Sequence, residues 1–300
     1  MEITGMMLAL LDVAAEHTVD YNRWYDLDHM PEHLAKPDVL AGRRYAAPRD
    51  LRAVPGAVRS ELIGGHPSYL TTYWFGGPLD MTSPQAREGW LALDRTILRA
   101  GRFWRPGQVR HNSRWRVSSA WTRPGCLVRP VAVPYLAHRG VIMALGRAPS
   151  PDRVDEAVAW WEGVHLPDLA AVPGVLAAVR LTRADDEGGD EGGGEALPAS
   201  SAGPAVRVAE SGLAEQTGLV LHLLLCEDDP AVVIGRIARA RRSWQAVGRF
   251  PAHRGAYEEL AFLPYRLILP LQYDFDMGED DAGAGPLAGV DGGPAGGAVR

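Results

Sequence analysis

The chain has 300 residues, 46% of them hydrophobic and 23% charged, which is ordinary for a globular protein and long enough for two modest domains. Its formal net charge of −6 is uneven: the spans 184–212 and 274–300 carry −6 and −5, which leaves the remainder near +5. No apolar run approaches the ~20 residues that cross a bilayer, and the arginines lack the clustering with interleaved aromatics of a nucleic-acid binder.

In chain order, Ile3–Val13 is apolar between polar flanks and reads as a strand. Thr18 is an N-cap for a helix that runs to about Leu34, with a kink or break expected near His29 because Pro31 cannot donate to the helix ladder. Val39–Ala46 and Tyr69–Phe75 read as strands, Ser83-Pro84 opens a helix to about Arg99, and Trp115–Trp121 closes the unit. Beyond a linker at 123–138 the order recurs. Gly140–Gly146 is a strand, Ser150-Pro151 opens a helix to about Ala171, and Val175–Thr182 is a strand. Leu219–Cys226, a helix from Asp229-Pro230, and Ala261–Leu271 complete it. The insertion 184–212 and the tail 274–300 are acidic and rich in Gly, Ala, Pro and Ser, so disorder is expected there.

The two halves align without gaps. Trp24 falls on Trp160, Asp26 on Glu162, His29 on His165, Pro31 on Pro167, Glu32 on Asp168, Leu40 on Leu176 and Arg44 on Arg180. A second anchor, Gly101-Arg102-Phe103, matches Gly248-Arg249-Phe250. Two anchors in one order indicate a duplicated domain. The expected fold is α+β: two ferredoxin-like βαββαβ repeats, 1–122 and 139–273, packed sheet to sheet as an intrachain barrel.

The string Tyr21-Asn22-Arg23-Trp24-Tyr25-Asp26-Leu27-Asp28-His29-Met30-Pro31-Glu32-His33-Leu34, followed by Gly42-Arg43-Arg44-Tyr45, resembles the dimeric α+β barrel superfamily, and within it the EthD-like and polyketide-cyclase-like members. The likeness is densest over 1–46 and extends to 139–182. It implies the barrel. It leaves function open, because that superfamily hosts cyclases, decarboxylases, isomerases, dehydratases, cofactor-free monooxygenases and haem enzymes.

Tyr25, His29 and His33 are spaced i, i+4, i+8 along the first helix. Histidine titrates near neutrality, so His29 is the candidate general acid or base, with Asp26 or Glu32 to orient its ring. One arginine of the Arg43-Arg44 pair faces the barrel interior if strand faces alternate, and Arg44 or Tyr73 would stabilise an enolate. An ion pair between Arg44 and a helix acid such as Glu32 is the bland alternative. Tyr69, Thr71, Tyr73 and Phe75 share one strand face, opposite in character to Leu219, Leu221, Leu223 and Leu225 of the second half. His66 stands before that strand as a second base, and Tyr25, Trp24, Tyr69, His66 and His165 are the candidate substrate contacts. The segment around Arg102, Trp104, Arg110 and His111 is a candidate lid.

There is no P-loop, GxGxxG, GxSxG or HExxH motif. Cys126 and Cys226 lack metal-ligand spacing, and the lone lysine, Lys36, argues against Schiff-base chemistry. No basic segment precedes the first apolar run, so a cytoplasmic protein is expected. The expectation is a cofactor-independent enzyme without a metal, acting by acid–base catalysis on an aromatic or poly-β-carbonyl substrate in the barrel cavity. Cyclisation, dehydration, decarboxylation or isomerisation are the candidate reactions. The alternatives are a cofactor-free monooxygenase and a non-catalytic ligand-binding protein; separately, haem ligation by one histidine is left open. A small aromatic or anionic molecule is the expected partner, and a homodimer is open. The first half, which keeps more polar companions, is expected to act.

Overall fold

A computed structural model describes residues 3–36, 38–76, 84–102, 104, 107–126, 128–184, 216, 218–249 and 257–277. The expected disorder of the insertion and tail therefore concerns residues that lie almost wholly outside the described ones. Of the tail span, residues 274–277 are described, and Met277 is buried there.

The first half runs β1 (Ile3–Asp12), α1 (Thr18–Trp24), a π-helical turn (Tyr25–His29), α2 (Met30–Leu34), β2 (Val39–Ala46), α3 (Arg49–Arg52), β3 (Tyr69–Gly76), α4 (Pro84–Arg99) and β4 (Gln108–Thr122). The second runs β5 (Gly140–Arg147), α5 (Val154–Trp160), a π-helical turn (Trp161–His165), α6 (Leu166–Ala170), β6 (Val175–Arg183), β7 (Leu219–Cys226), α7 (Pro230–Ala246) and β8 (Glu258–Leu267). All eight strands pair antiparallel in one closed barrel, in the order β1-β3-β2-β8-β5-β7-β6-β4. Each half thus contributes the order fourth, first, third, second strand. The halves meet edge to edge at two unequal seams. The β4–β6 seam pairs from Trp115↔Arg183 to Thr122↔Ala177, whereas β2–β8 pairs only at Tyr45↔Leu267 and Ala46↔Arg266.

The lumen is full. Met6, Leu8 and Leu10 of β1, Leu70 and Trp74 of β3, Trp115 of β4, Met143 of β5, Leu181 of β6, Leu221 and Leu223 of β7, and Leu263 and Tyr265 of β8 form one buried cluster. An eight-stranded barrel is just wide enough for side chains to fill it. The expectation of a cavity inside the barrel is therefore corrected: among the described residues the lumen is packed core, and the cavity described below lies between the outer sheet face and the helices.

The face assigned to β7 is corrected as well. Leu219, Leu221, Leu223 and Leu225 point into the lumen, while Val220, Leu224 and Cys226 pack in the helix-side cluster. The counterpart of the Tyr69–Phe75 face is thus Val220, His222, Leu224 and Cys226. The expected break near His29 takes the form of one widened turn. Pro31 has no N–H for the carbonyl four residues back, and the helix continues past it through the π turn. Pro167 does the same after Trp161–His165.

Candidate active site

A cavity of about 90 Å³ lies against the outer face of the first-half sheet. Its floor is Met7, Ala9 and Leu11 of β1, with Tyr73 of β3 and Val109 and Asn112 of β4 beside them. The α1–π–α2 segment supplies Tyr21, Trp24, Tyr25, His29 and His33. Helix α4 supplies Trp90 and Asp94, and the segment after it Trp104 and Gly107. Every described lining residue belongs to the first half.

The rings are held by one another and by a few polar contacts. His29 stacks on Trp24 at 4.7 Å between centroids and meets Tyr25 edge-on at 4.8 Å. Its ring is 4.3 Å from that of His33. Burial, then the neighbouring His33 and Arg44, push the His29 imidazole well below the usual histidine range, so it is neutral at neutral pH. Tyr25 and Tyr73 share a hydrogen bond at 3.1 Å, and burial raises both phenols. Tyr21 Oη and Trp104 Nε1 are buried on the cavity wall with no hydrogen-bond partner among the described residues.

Several expected site residues stand elsewhere. Asp26 pairs with Arg44 at 2.6 Å, and Arg44 also donates to the side chain of Asn22. The Arg44 guanidinium lies 4.3 Å from the Tyr25 ring centroid and 5.3 Å from that of Tyr21. It thus points at the helix, not into the lumen, and Asp26 rather than Glu32 is its partner. Neither Asp26 nor Arg44 lines the cavity. Glu32 is at the surface, bonded to Arg102 at 2.9 Å. Tyr69 lies behind Tyr21 and takes a hydrogen bond from Asn22 at 3.2 Å. His66 closes one end of the lumen beside Tyr265, with Nε2 donating to the Pro264 carbonyl at 3.2 Å. Burial lowers His66 to about 3. His111 is on the lumen side of β4, opposite Leu10, so it is no lid residue.

The repeated anchors have a physical explanation, because in each half they bind each other. Trp24 Nε1 donates to the Arg102 carbonyl at 2.6 Å, and Arg102 pairs with Asp28 and Glu32. Trp160 Nε1 donates to the Arg249 carbonyl at 3.4 Å, and Arg249 pairs with Asp168. Gly101 and Gly248 both sit at φ 69°, the left-handed cap that ends the preceding helix and turns the arginine back. The proline-following acid of the motif is thereby a brace between helix and loop.

In the second half, described side chains stand in the equivalent space. His165 stacks on Trp160 at 4.6 Å, and Trp161, His222 and Tyr257 fill the rest. Tyr257 lies where a Cβ on Gly146 would be, at 2.1 Å. Trp104, in the segment read as a candidate lid, does line the cavity, whereas Trp90, Asp94 and Asn112 are not singled out by the sequence. The Trp90–Asp94 spacing of four, placing both on one helical face, was the available signal.

No protein-family model matches the chain, and no curated protein matches it. Solved structures with a similar chain path include an anthrone oxidase-like protein, 13% identical, with a TM-score of 0.48 over 90% of this chain and 92% of that one. A candidate chlorite dismutase is 10% identical, with a TM-score of 0.48 over 90% and 96%. A heme-binding protein from Thermus thermophilus is 9% identical, with a TM-score of 0.42 over 90% and 93%. At these identities and TM-scores the likenesses do not bear on what this chain does. Among the described residues no helix is long and apolar enough to cross a membrane, and no three His, Cys, Asp or Glu side chains converge as a metal site.

Proposed function

We propose that the chain is a duplicated ferredoxin-like protein of the dimeric α+β barrel type whose first-half cavity performs general acid–base catalysis on a small aromatic or poly-β-carbonyl molecule. The observation behind this reading is His29: a neutral, desolvated imidazole in the wall of an aromatic cavity. An imidazole unprotonated at neutral pH can accept a proton from a bound ketone; the burial that keeps it unprotonated also weakens it as a base, so a contribution at the low end of the usual 10²–10⁴-fold is expected. Tyr21 and Trp104 offer a ligand's oxygens an O–H and an N–H that have no partner among the described residues. Planar rings of the ligand would lie among Trp24, Tyr25, Tyr73 and Trp90. Arg44 and Asp26 hold the helix that presents His29. His165, walled in by Trp160 and Tyr257, serves the packing of the second half.

The test needs no knowledge of the natural substrate. α-Proton exchange of 2-tetralone in D₂O, followed by NMR, reads proton abstraction directly. Wild type and His165→Gln are expected to accelerate exchange, and His29→Gln to fall to the buffer rate with its fold intact. Full exchange in His29→Gln, or none in wild type, rejects the reading. Oxygen uptake with 1-naphthol would instead favour the monooxygenase alternative. A displaceable ligand without exchange would favour a binding protein.

A further inference from the structure

We propose that His33 and Asp94 hold one shared proton at the cavity wall, giving the site a second proton-carrying group beside His29. The use of that proton rests on the acid–base reading above; its presence does not.

The argument is a count of donors and acceptors. His33 Nδ1 lies 2.9 Å from the His29 carbonyl oxygen. A carbonyl oxygen only accepts, so Nδ1 bears a hydrogen. His33 Nε2 lies 3.2 Å from Asp94 Oδ1. A bare Nε2 and a carboxylate oxygen would oppose lone pair to lone pair at that distance. A proton therefore lies between them, on the ring or on the carboxyl.

The surroundings hold this geometry. His33 is fully buried, with the Trp90 ring at 4.3 Å and the Tyr73 ring at 5.5 Å. Trp90 and Asp94 project from one face of α4. His33 and Asp94 both line the cavity; Asp94 is 17% exposed, so a ligand can reach its carboxyl, whereas the His33 side chain has no exposed surface. The other charges and titratable groups facing the pair are His29, Tyr25 and Tyr73, with Arg44 across the Tyr25 ring and Lys36 5.9 Å from the Trp90 centroid.

The pair belongs to the first half alone. His33 aligns with Leu169, which is fully buried. The offset between Gly101 and Gly248 places Asp94 on Arg241, which pairs with Glu259 at 2.6 Å. Duplication kept His29 and His165 in both halves, but the pair in only one.

Two proton groups define a class of reaction. His29 takes a proton from a C–H next to a carbonyl, leaving an enolate. The Asp94–His33 pair gives its proton to another atom of the same ligand. One proton then passes from His29 to the pair, and both groups are restored. That cycle suits isomerisation, dehydration or cyclisation. A monooxygenase that only deprotonates its substrate has no use for the second group. Asp94 would touch the ligand, and His33 is a positioning residue acting through it.

The test uses ligand-free, full-length protein labelled with ¹⁵N in the histidine rings. His33 signals are assigned by their loss in His33→Gln. At pH 7, Nδ1 is expected to be protonated and Nε2 displaced from the bare-nitrogen shift. Asp94→Asn should move Nε2 toward the bare value while the protein stays folded, and Asp94→Glu should restore it. A bare Nε2 in wild type, or no response to Asp94→Asn, overturns the proposal. The 2-tetralone assay is scored separately: no exchange in wild type rejects the function, whereas the shared proton is decided by the ring nitrogens alone.

Discussion

Asp26→Ala should destabilise the protein far more than the equivalent Glu162→Ala, although both remove the acid from the same repeated ion pair. In the first half Arg44 is 3% exposed and Asp26 11%. Removing one partner of a buried pair costs about 3–5 kcal/mol, mostly because a charge stays buried unpaired. Arg44 keeps Asn22 and the faces of Tyr25 and Tyr21, so the low end, about 3 kcal/mol, is expected. The loss of the Asp26 contact to the Leu271 backbone N–H, at 3.0 Å, works in the same direction. In the second half Arg180 meets Glu162 at 2.8 Å, but Glu162 is 38% exposed and water can replace it. That loss should be about 1 kcal/mol or less. Urea unfolding should show the difference as a shift in midpoint at constant slope. At about 2–4 °C per kcal/mol for a chain of this size, the melting temperature should fall by about 6–12 °C for Asp26→Ala and by no more than about 4 °C for Glu162→Ala. Equal shifts, or a loss below about 1 kcal/mol for Asp26→Ala, would refute the view that burial decides the worth of this pair.

Acid should unfold the protein through its buried histidines. Burial lowers His66 and His222 to about 3 and His111 to about 4, and pushes His29 and His165 down too, so the unfolded chain takes up protons below pH 6.5 before the folded one does. Stability is thus full well above pH 6.5 and lost progressively down to about pH 3, on the order of 2 kcal/mol at pH 5 for each of His66, His111 and His222. Urea midpoints equal at pH 8 and pH 5 would contradict this, and His222→Leu should flatten the profile. Gly146→Ala should cost about 1–3 kcal/mol, because its Cβ meets the Tyr257 ring at 2.1 Å and that ring must move. Gly42→Ala should cost less in the same urea assay, since its nearest atoms are the ends of Leu34 and Met30 at 3.0 and 3.3 Å. Trp104→Phe should leave the melting temperature nearly unchanged and weaken binding of 1-naphthol in a titration, because its indole N–H has no partner among the described residues.

The order of strands and helices was legible in the sequence because each element has a local cause. Apolar runs broken by Pro and Gly mark the strands, and Leu219–Cys226 falls where its run does. Asp229-Pro230 marks a helix start, and Asp229 caps the Ala231 N–H at 2.9 Å. The repeated Trp24 and Trp160 motifs placed the α1–π–α2 segment, and Pro31 announced a disturbance there. Which face of each strand points inward was not legible. β3 and β7 are buried along their whole length, since the packed lumen covers one face and helices the other. A period-2 pattern distinguishes core from solvent, and here neither face meets solvent. The period therefore separates neither the inward leucines of β7 from its outward face nor the lumen from the helix side of the sheet on which the cavity lies. The partners across the cavity were hidden for a second reason. His33 and Asp94 are 61 residues apart, and Arg44 chose Asp26 over Glu32. Sequence spacing states which residues share a helix face. Only the docking of α4 beside α2, and the turn at Gly101 that draws Glu32 away to Arg102, decide which of them meet.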